Sequence, residues 1–530
     1  MSEITVVTDP ETFVETSTSA PLGARVPVEV RTVVSDPFDA YRRARSSDAD
    51  GVYLETTGGQ SGWGYFAVDP IDRVEIAPDP QETSTDRPTI EALDSLLSRE
   101  SLVRGDCEVP YPCGAFGWLS YDVARELETL PDTTVGDGLP RLQLGVFDRV
   151  VSWKKPREDA TDRKGAAGRE DATDRDATEN VELRITVCPV VGDDPETTYE
   201  TALEDATALA RAVHSEPEAT PTPPVNAGNA TFESECGEAA FADRVSTIKQ
   251  YIRDGDTFQT NVSHRLVAPA AVHPVDAFDA LRRVNPAPYS GLLEFPGVDL
   301  VSASPELLLE VDGDRLITEP IAGTRPRGET PEEDEALKAD LLANEKERAE
   351  HAMLVDLERN DLGKVSEYGT VEVSEYRRID RYSEVMHLVS LVEGVRRPET
   401  TIADAVAAVF PGGTITGAPK PRTMEIIDEV ETTRRGPYTG GIGIFGFDDR
   451  AILNIVIRTL VRRGEEYRLR VGAGIVHDSV PEEEYQETLD KARALINAVD
   501  EALGEQASFA VEGIERAGSD GSEGGIEESR

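Results

Sequence analysis

Lysine is nearly missing from this chain: nine stand among 530 residues, at positions 154, 155, 164, 249, 338, 346, 364, 420 and 491, so arginine supplies most of the positive charge. Against 102 aspartates and glutamates there are 54 lysines and arginines, a formal net charge of -48. Nucleic acid and anionic membranes repel such a polyanion, which argues against both as partners. Acidic excess with little lysine is the balance expected of a cytosolic protein from a salt-accumulating organism, where ionic strength screens the self-repulsion. Cysteine is scarce too. Cys107, Cys113, Cys188 and Cys236 show neither C-x-x-C nor metal-ligand spacing, so nothing argues for a disulfide framework, and a reducing compartment is expected. No apolar run approaches the roughly eighteen residues of a membrane span, and Met1-Ser2-Glu3-Ile4-Thr5 lacks the basic start of a signal peptide. A soluble, cytoplasmic protein is the expectation. Disorder is not, because 38% of the residues are hydrophobic and fall in periodic segments.

The length suggests two to four domains. Residues 154–180 read as a disordered insertion: Glu158-Asp159-Ala160-Thr161-Asp162-Arg163 recurs as Glu170-Asp171-Ala172-Thr173-Asp174-Arg175 with almost nothing apolar between. Residues 216–230, with Pro217, Pro221, Pro223 and Pro224, read as a linker between an N-terminal region, 1–215, and a catalytic domain, 231–504. The Gly-, Ser- and Glu-rich tail, 505–530, is expected to be disordered. Alternation predicts strands at Val28–Val34, Gly51–Thr56, Thr257–Val267, 298–302, 307–311, 315–319, 370–374, 384–393, 440–447, 451–462 and 466–477. Helices are expected at Phe38–Arg45, Ile90–Leu97, Ala239–Arg253, Glu333–Leu357, Ile402–Val409, Lys420–Val430 and Glu482–Leu503. Hairpin-joined strands interrupted by helices mean an α+β fold rather than a doubly wound parallel sheet.

Some residue patterns bear on chemistry. In Thr318-Glu319-Pro320-Ile321-Ala322-Gly323-Thr324-Arg325-Pro326-Arg327-Gly328 a β-prone run opens into a Gly-Thr turn whose N–H groups and hydroxyl are free to hold an anion. By itself such a turn is more often merely structural. Glu347 and Glu350 lie three apart on a predicted helix, as do Glu484 and Glu487 with Lys491 four beyond, so each set shares a face. A cation between the helices would relieve the repulsion, and magnesium fits because it prefers oxygen ligands and keeps several waters. In so acidic a chain a solvated face is the commoner meaning of any one pair.

Further segments fall in a fixed order with these: Gly255-Asp256-Thr257-Phe258-Gln259-Thr260-Asn261-Val262-Ser263, Ser302-Ala303-Ser304-Pro305-Glu306, Arg359-Asn360-Asp361, Arg381 to His387, Gly413 to Lys420, Ile457-Arg458-Thr459 and Gly472-Ala473-Gly474-Ile475-Val476. Together they resemble the chorismate-utilising enzymes, the large subunits of anthranilate synthase and aminodeoxychorismate synthase, from about Phe241 to Leu503 and more weakly before. The resemblance implies two stacked antiparallel β-sheets flanked by helices, with the N-terminal part completing the same body. It implies that Glu350 and Glu487 bind Mg²⁺ while Glu347 and Glu484 support its water shell. Chorismate, a dianion, would be held by Gly323, Thr324, Thr414, Tyr438, Arg458, Lys491 and the backbone of Gly472, Ala473 and Gly474. Glu306 would be the acid beside the departing ring hydroxyl, and His387 would orient the substrate or assist pyruvate elimination. Gln259 stands where related isochorismate and salicylate synthases carry a lysine that activates water. An amide cannot act as that base, so the resemblance implies ammonia as nucleophile.

The family resemblance is divided on the product. Bacterial aminodeoxychorismate synthases carry a ring-attacking lysine at position 322, whereas Ala322 matches anthranilate synthases. Asn285-Pro286-Ala287-Pro288-Tyr289-Ser290, Phe410 to Gly413, Leu453-Asn454-Ile455 and Asn261 lean the other way. Thr56, Pro288, Tyr289 and Ser290 occupy the tryptophan site of feedback-regulated enzymes, with Thr56 replacing its usual serine and Ser290 its usual methionine. Weighting the active-site position, the resemblance implies an anthranilate synthase large subunit. Aminodeoxychorismate synthase is the alternative, and a chorismate-binding paralogue without activity a third reading, opposed by the intact set of acids, His387 and Lys491. No Cys-His amidotransferase signature is present, so a separate glutamine amidotransferase subunit, component II, is expected as partner in a heterodimer or heterotetramer.

Overall fold

The computed structural model describes residues 3–46, 50–57, 61–79, 85–155, 180–217, 220, 222–226, 229–382, 385–504 and 508–511. Two large sheets lie face to face. The first runs Thr5–Val6, Val28–Val34, Val181–Val187, Arg149–Lys155, Gly62–Val68, Gly51–Glu55, Tyr289–Phe295, Val298–Ser304, Thr459–Arg463, Glu466–Ile475, Gln259–Pro269, Asn229–Ser234 and Ser508–Val511, with Gly417–Ala418 paired to Gln259–Pro269. The second runs Ile321–Pro326, Val385–Val395, Arg315–Thr318, Leu307–Asp312, Arg450–Ile455, Gly441–Phe445, Gly114–Leu119, Leu142–Phe147 and Asp72–Ile76, with Glu372–Arg381 paired to Val385–Val395. Strands from either side of the proline-rich stretch join at two seams. Gly51 to Glu55 pair antiparallel with Glu294 to Ser290, and Ala115 to Leu119 with Phe445 to Gly441. Each sheet is therefore continuous across the two halves of the sequence.

The period-2 geometry of a strand sends successive side chains to opposite faces, and here both faces are dry. In Gly114–Leu119, Phe116 and Trp118 join the core between the sheets, alongside Ile442, Ile444, Leu293 and Leu300. Ala115 and Leu119 of the same strand join the core under the outer helices, with Leu93, Val406 and Val409. A third core lies under the helices on the first sheet and contains Phe241, Phe278, Leu489 and Leu495. Strands buried on both faces read as continuous apolar runs, so their type is legible but their partners are not. Among the described residues no helix is long and apolar enough to cross a membrane.

Ile402–Val409 and Lys420–Val430 have the expected bounds; the first is capped by Thr401, whose side chain and that of Asp404 exchange hydrogen bonds with the backbone. Several other elements differ at their ends, as Glu372–Arg381 does from the predicted 370–374, and three expectations differ in kind. The helix predicted over Glu333–Leu357 is two helices, Pro331–Ala343 and Glu345–Gly363, because Asn344 is extended and its Oδ1 accepts from Glu347 N at 3.1 Å to start the second. The strand predicted over 451–462 is two, Arg450–Ile455 and Thr459–Arg463, broken where Arg458 turns left-handed at φ +50°. Ser508–Val511 forms a strand parallel to Asn229–Ser234, although the sequence reading places the first in a disordered tail and the start of the second in a linker. Ser-Phe-Ala-Val is a β-prone run that the charged composition around it conceals. Residues 156–179 of the expected insertion and 512–530 of the tail lie outside the described residues.

Candidate active site

The strand Ile321–Pro326 pairs Ala322 with Leu388, then slips so that Thr324 faces His387. The extra residue is Gly323, with φ +69°, and a Cβ there would stand 2.8 Å from Glu347 Oε2 and 2.9 Å from Leu341 Cδ1. Only glycine satisfies both the positive φ and the close approach. The bulge sets Thr324 Oγ1 3.0 Å from His387 Nδ1, while His387 Nε2 is buried without a partner. Burial, helped by the charge of Arg458, pulls His387 down to about 4, so the imidazole is neutral at neutral pH.

Glu306 follows the strand Val298–Ser304. Its carbonyl accepts from Ile455 N at 3.0 Å, and Ser304 Oγ donates to Ile455 O at 2.6 Å, which fixes the turn. One Glu306 carboxyl oxygen and the Thr414 hydroxyl are buried side by side without well-formed hydrogen bonds. Burial pushes Glu306 up to about 8; Thr414 opposes this and the carboxylate of Glu358 adds to it. A carboxylic acid that keeps its proton at neutral pH is thereby placed in the site. Nearby Arg458 holds a left-handed backbone that costs a non-glycine residue about 1–3 kcal/mol, the kind of strain found where geometry is functional. Burial lowers its pKa, the acidic groups of Glu306 and Tyr382 oppose this, and it has no ion-pair partner among the described residues. A guanidinium left this way suits an anionic ligand.

The acid pairs sit on Glu345–Gly363 and Pro481–Leu503. Gln259 Nε2 donates to Glu350 Oε1 at 2.8 Å, and Gln259 Oε1 is buried without a partner. Burial raises Glu350, Gln259 opposes this, and the charges of Glu347 and Glu487 raise it further, so the two helices bring their carboxylates within reach of one another. Burial likewise raises Glu484. Glu347 pairs with Arg325 at 3.2 Å, and Glu487 with Lys491 at 2.7 Å. Among the described residues no group of three or more His, Cys, Asp or Glu stands ready to hold a metal ion. Two carboxylates nonetheless fit magnesium, which takes one or two and completes its octahedron with water and substrate oxygens.

The third wall is the strand Glu466–Ile475. It pairs with Gln259–Pro269 along its length, but Thr459–Arg463 pairs with it only from Glu466 to Leu469, so 470–475 have no strand partner on that edge. A Cβ on Gly472 would come within 2.6 Å of the Tyr438 hydroxyl, and one on Gly474 within 2.7 Å of Gln259 Nε2, with Ala473 between them. Lys491 Nζ donates to Gly472 O at 3.0 Å. Tyr438 is pushed up to about 12 by burial and keeps its hydroxyl proton. Close approaches and hydrogen bonds thus link His387, Thr324, Gly323 and Glu347 in one group and Glu350, Gln259, Gly474, Gly472, Tyr438, Lys491 and Glu487 in another. Arg458 acts electrostatically on His387 and with Glu306, and Glu350 feels the charges of Glu347 and Glu487. Thr56, Pro288, Tyr289 and Ser290 line a separate cavity of about 540 Å³ with Glu319 and Arg378. Tyr382, also in that cavity, packs its ring 5.4 Å from His387 and connects the two.

One buried acid, Glu358, was not singled out from the sequence. Glu358 and Asp361 are buried in the stripe His351, Leu354, Val355, Glu358, Asp361, Leu362 of one helix. That i, i+3, i+4 stripe was the available signal, hidden because charged residues in an acidic chain read as a solvated face.

Comparison with known proteins agrees with this geometry. The chorismate binding enzyme family matches over residues 50–497, most of the chain. The chain belongs to that family. Within the family, it is 69% identical over 516 residues to an anthranilate synthase component 1 of Haloarcula marismortui, covering 97% of this chain and 98% of the relative. An aminodeoxychorismate synthase component 1 of Bacillus subtilis is 44% identical over 391 residues, 73% of this chain and 77% of the relative. The crystal structure of anthranilate synthase component I from Streptococcus pneumoniae superposes with a TM-score of 0.66 at 30% identity, covering 82% of this chain and 92% of that one. The chorismate-binding fold of two antiparallel sheets and flanking helices is therefore that of this family member, the parallel pair at Ser508–Val511 aside.

Proposed function

We propose that this chain is an anthranilate synthase large subunit, which aminates chorismate with ammonia and then eliminates pyruvate to leave anthranilate. The observation that carries the reading is Ala322. It lies on the bulged strand one residue after Ile321, whose N–H faces Glu306, and it offers no amine to attack the ring. Buried polar atoms without partners support a ligand there: Glu306 Oε1, Thr414 Oγ1, His387 Nε2 and Gln259 Oε1.

In the first step the ring C–O bond breaks as ammonia adds. Glu306 gives its proton to the departing hydroxyl, which leaves as water, and the proton shed by the new ammonium group returns to the acid, so R–OH and NH₃ give R–NH₂ and H₂O. In the second, neutral His387 assists transfer of the ring proton as the enolpyruvyl C–O bond breaks. Arg458, Lys491, Tyr438, Thr324, Thr414 and the backbone of Gly323 and Gly472 to Gly474 hold the dianion. Magnesium, held by Glu350 and Glu487 with its waters supported by Glu347 and Glu484, would neutralise a substrate carboxylate. Ammonia comes from a separate glutamine amidotransferase subunit in a heterodimer or heterotetramer, free ammonium being a poorer source.

The test is the isolated chain with Mg²⁺, high salt and ammonium at alkaline pH. Fluorescent anthranilate and pyruvate should form, and glutamine in place of ammonium should give neither. An aminated product that keeps its enolpyruvyl group and yields p-aminobenzoate with a lyase would move the assignment to aminodeoxychorismate synthase, the reading favoured by Thr56 and Asn285 to Ser290. No turnover would leave the non-catalytic paralogue.

The second cavity sets the expectation for regulation. Ser290 Oγ donates to Ala287 O at 3.1 Å and is turned into the loop, where a methionine would pack on an indole. Losing that packing weakens indole binding by roughly 1–3 kcal/mol, or ~10- to 100-fold. Tryptophan should therefore inhibit weakly or not at all. A low-micromolar inhibition constant would contradict this.

A further inference from the structure

The segment that carries Gly323 and Thr324 continues into Arg325 and Arg327, and the reaction above uses neither. Both turn to the helix Pro331–Ala343, whose buried residues are only Asp334 and Leu341. Arg327 holds the start of that helix: its Nε donates to Asp334 Oδ1 at 2.6 Å. Arg325 holds the end, and more. Its Nε donates to Asp340 Oδ2 at 2.8 Å, while Nη1 donates to Glu347 Oε1 at 3.2 Å and to Thr324 O at 2.9 Å. Asp340 and Glu347 lie on different helices, parted by the extended Asn344, so one guanidinium spans the corner at which the helix of Glu347 and Glu350 begins. The other oxygen of Glu347 is confined too. Oε2 lies 2.8 Å from where a Cβ on Gly323 would stand, so the carboxylate is clamped between Arg325 and the bulge of the substrate strand. On that same bulge Thr324 Oγ1 meets His387 Nδ1 at 3.0 Å.

We propose that Arg325 is a positioning residue for the magnesium site: by holding Asp340, Thr324 and Glu347 at once, it fixes the Glu347 carboxylate and the first turn of its helix in the orientation that supports the metal's waters beside the substrate strand. This role rests on the reading of Glu350 and Glu487 as the magnesium ligands. A planar guanidinium carries donors on separate edges and can serve two carboxylates and a carbonyl from one stem, whereas an ammonium is a point charge. Charge and geometry make opposite demands here. As a mere counter-charge Arg325 would repel a cation, and removing it would tighten metal binding. As an orienting group it steadies a carboxylate near the metal, and removing it loosens binding by an amount within the 10- to 100-fold typical of the partners of metal ligands. Asp340, its side chain 61% exposed, reaches the site through Arg325 and steadies the guanidinium from the far side.

The probe is Mn²⁺, which suits the same oxygen ligands, titrated into the full chain at high salt with chorismate present and ammonium absent, the free ion being read by electron paramagnetic resonance. Glu350→Gln supplies the background of ions held elsewhere on so acidic a chain. Arg325→Met should weaken the Glu350-dependent ion about 10-fold or more. Arg325→Lys should weaken it nearly as much although it keeps the charge, and Asp340→Asn should act in the same direction by less. Tighter binding in Arg325→Met, or parental binding in Arg325→Lys, would make Arg325 a counter-charge and overturn the proposal. A lowered melting temperature with the Mn²⁺ affinity unmoved would make it a structural residue and overturn it equally. If the Arg325 variants do not fold, Asp340→Asn at the surface decides: weaker Mn²⁺ binding upholds the proposal and unchanged binding overturns it. The metal reading beneath it fails in a different way, by Glu350→Gln binding Mn²⁺ as the parent does, and would take this role with it. No turnover is needed, so the outcome stands apart from whether the product is anthranilate.

Discussion

Glu350→Gln and Glu487→Gln should each lower magnesium-dependent turnover by more than about 100-fold, above what losing a mere supporting partner of a metal ligand costs. The melting temperature should stay close to the parent's. Each change keeps the shape of the side chain and removes a charged oxygen; at Glu350 that charge is costly to the fold, because burial and the charges of Glu347 and Glu487 disfavour its ionised form, whereas Glu487 is exposed and ion-paired to Lys491. If these acids were merely structural, neutralising Glu350 would relieve repulsion, neutralising Glu487 would cost no more than a surface ion pair with Lys491, and activity would stay intact. If they hold magnesium, the same change should raise the magnesium concentration needed for half-maximal activity, or abolish activity outright. Near-normal turnover with an unchanged magnesium dependence would remove the metal site from the account.

Glu306→Gln should cost about 10²- to 10⁴-fold in kcat, the usual range for a general acid. The amide keeps the size and can still accept from its neighbours, but it has no proton to give. The pH dependence separates this from a packing effect. The folded-state pKa of Glu306 is raised to about 8, so the acid form is present below that value and is lost as pH rises through it. With ammonia saturating, kcat of the parent should fall above about pH 8, and the residual rate of Glu306→Gln should lack that limb. His387 stays neutral down to about 4 and places no limb near neutrality. A retained alkaline limb in Glu306→Gln would assign the titration to another group.

Much of this site could be read from sequence because its chemistry sits in local segments whose spacing is itself structural. The helical three-residue intervals of Glu347–Glu350 and Glu484–Glu487 survive folding unchanged, and Gly323 and Gly472 announce backbone that other side chains approach. What could not be read is set by contacts distant in sequence. Arg458 breaks an apparently continuous strand because its backbone turns left-handed, which no periodicity reveals. Asn344 divides an unbroken helical pattern by turning its side chain onto Glu347. Glu358 looks like one more surface acid until its neighbours arrive from Gly413 and Lys420. The seam between Gly51–Glu55 and Tyr289–Phe295 joins residues more than two hundred positions apart, and strands buried on both faces carry no alternation to name a partner.

The most direct test follows the nitrogen. Chorismate and ¹⁵N-ammonium are incubated with the isolated chain and Mg²⁺, and the product is examined by nuclear magnetic resonance. The account predicts ¹⁵N on the ring carbon next to the carboxylate-bearing carbon, with the enolpyruvyl group gone as pyruvate. Nitrogen on the carbon that carried the hydroxyl, opposite the carboxylate and with the enolpyruvyl ether intact, would contradict it.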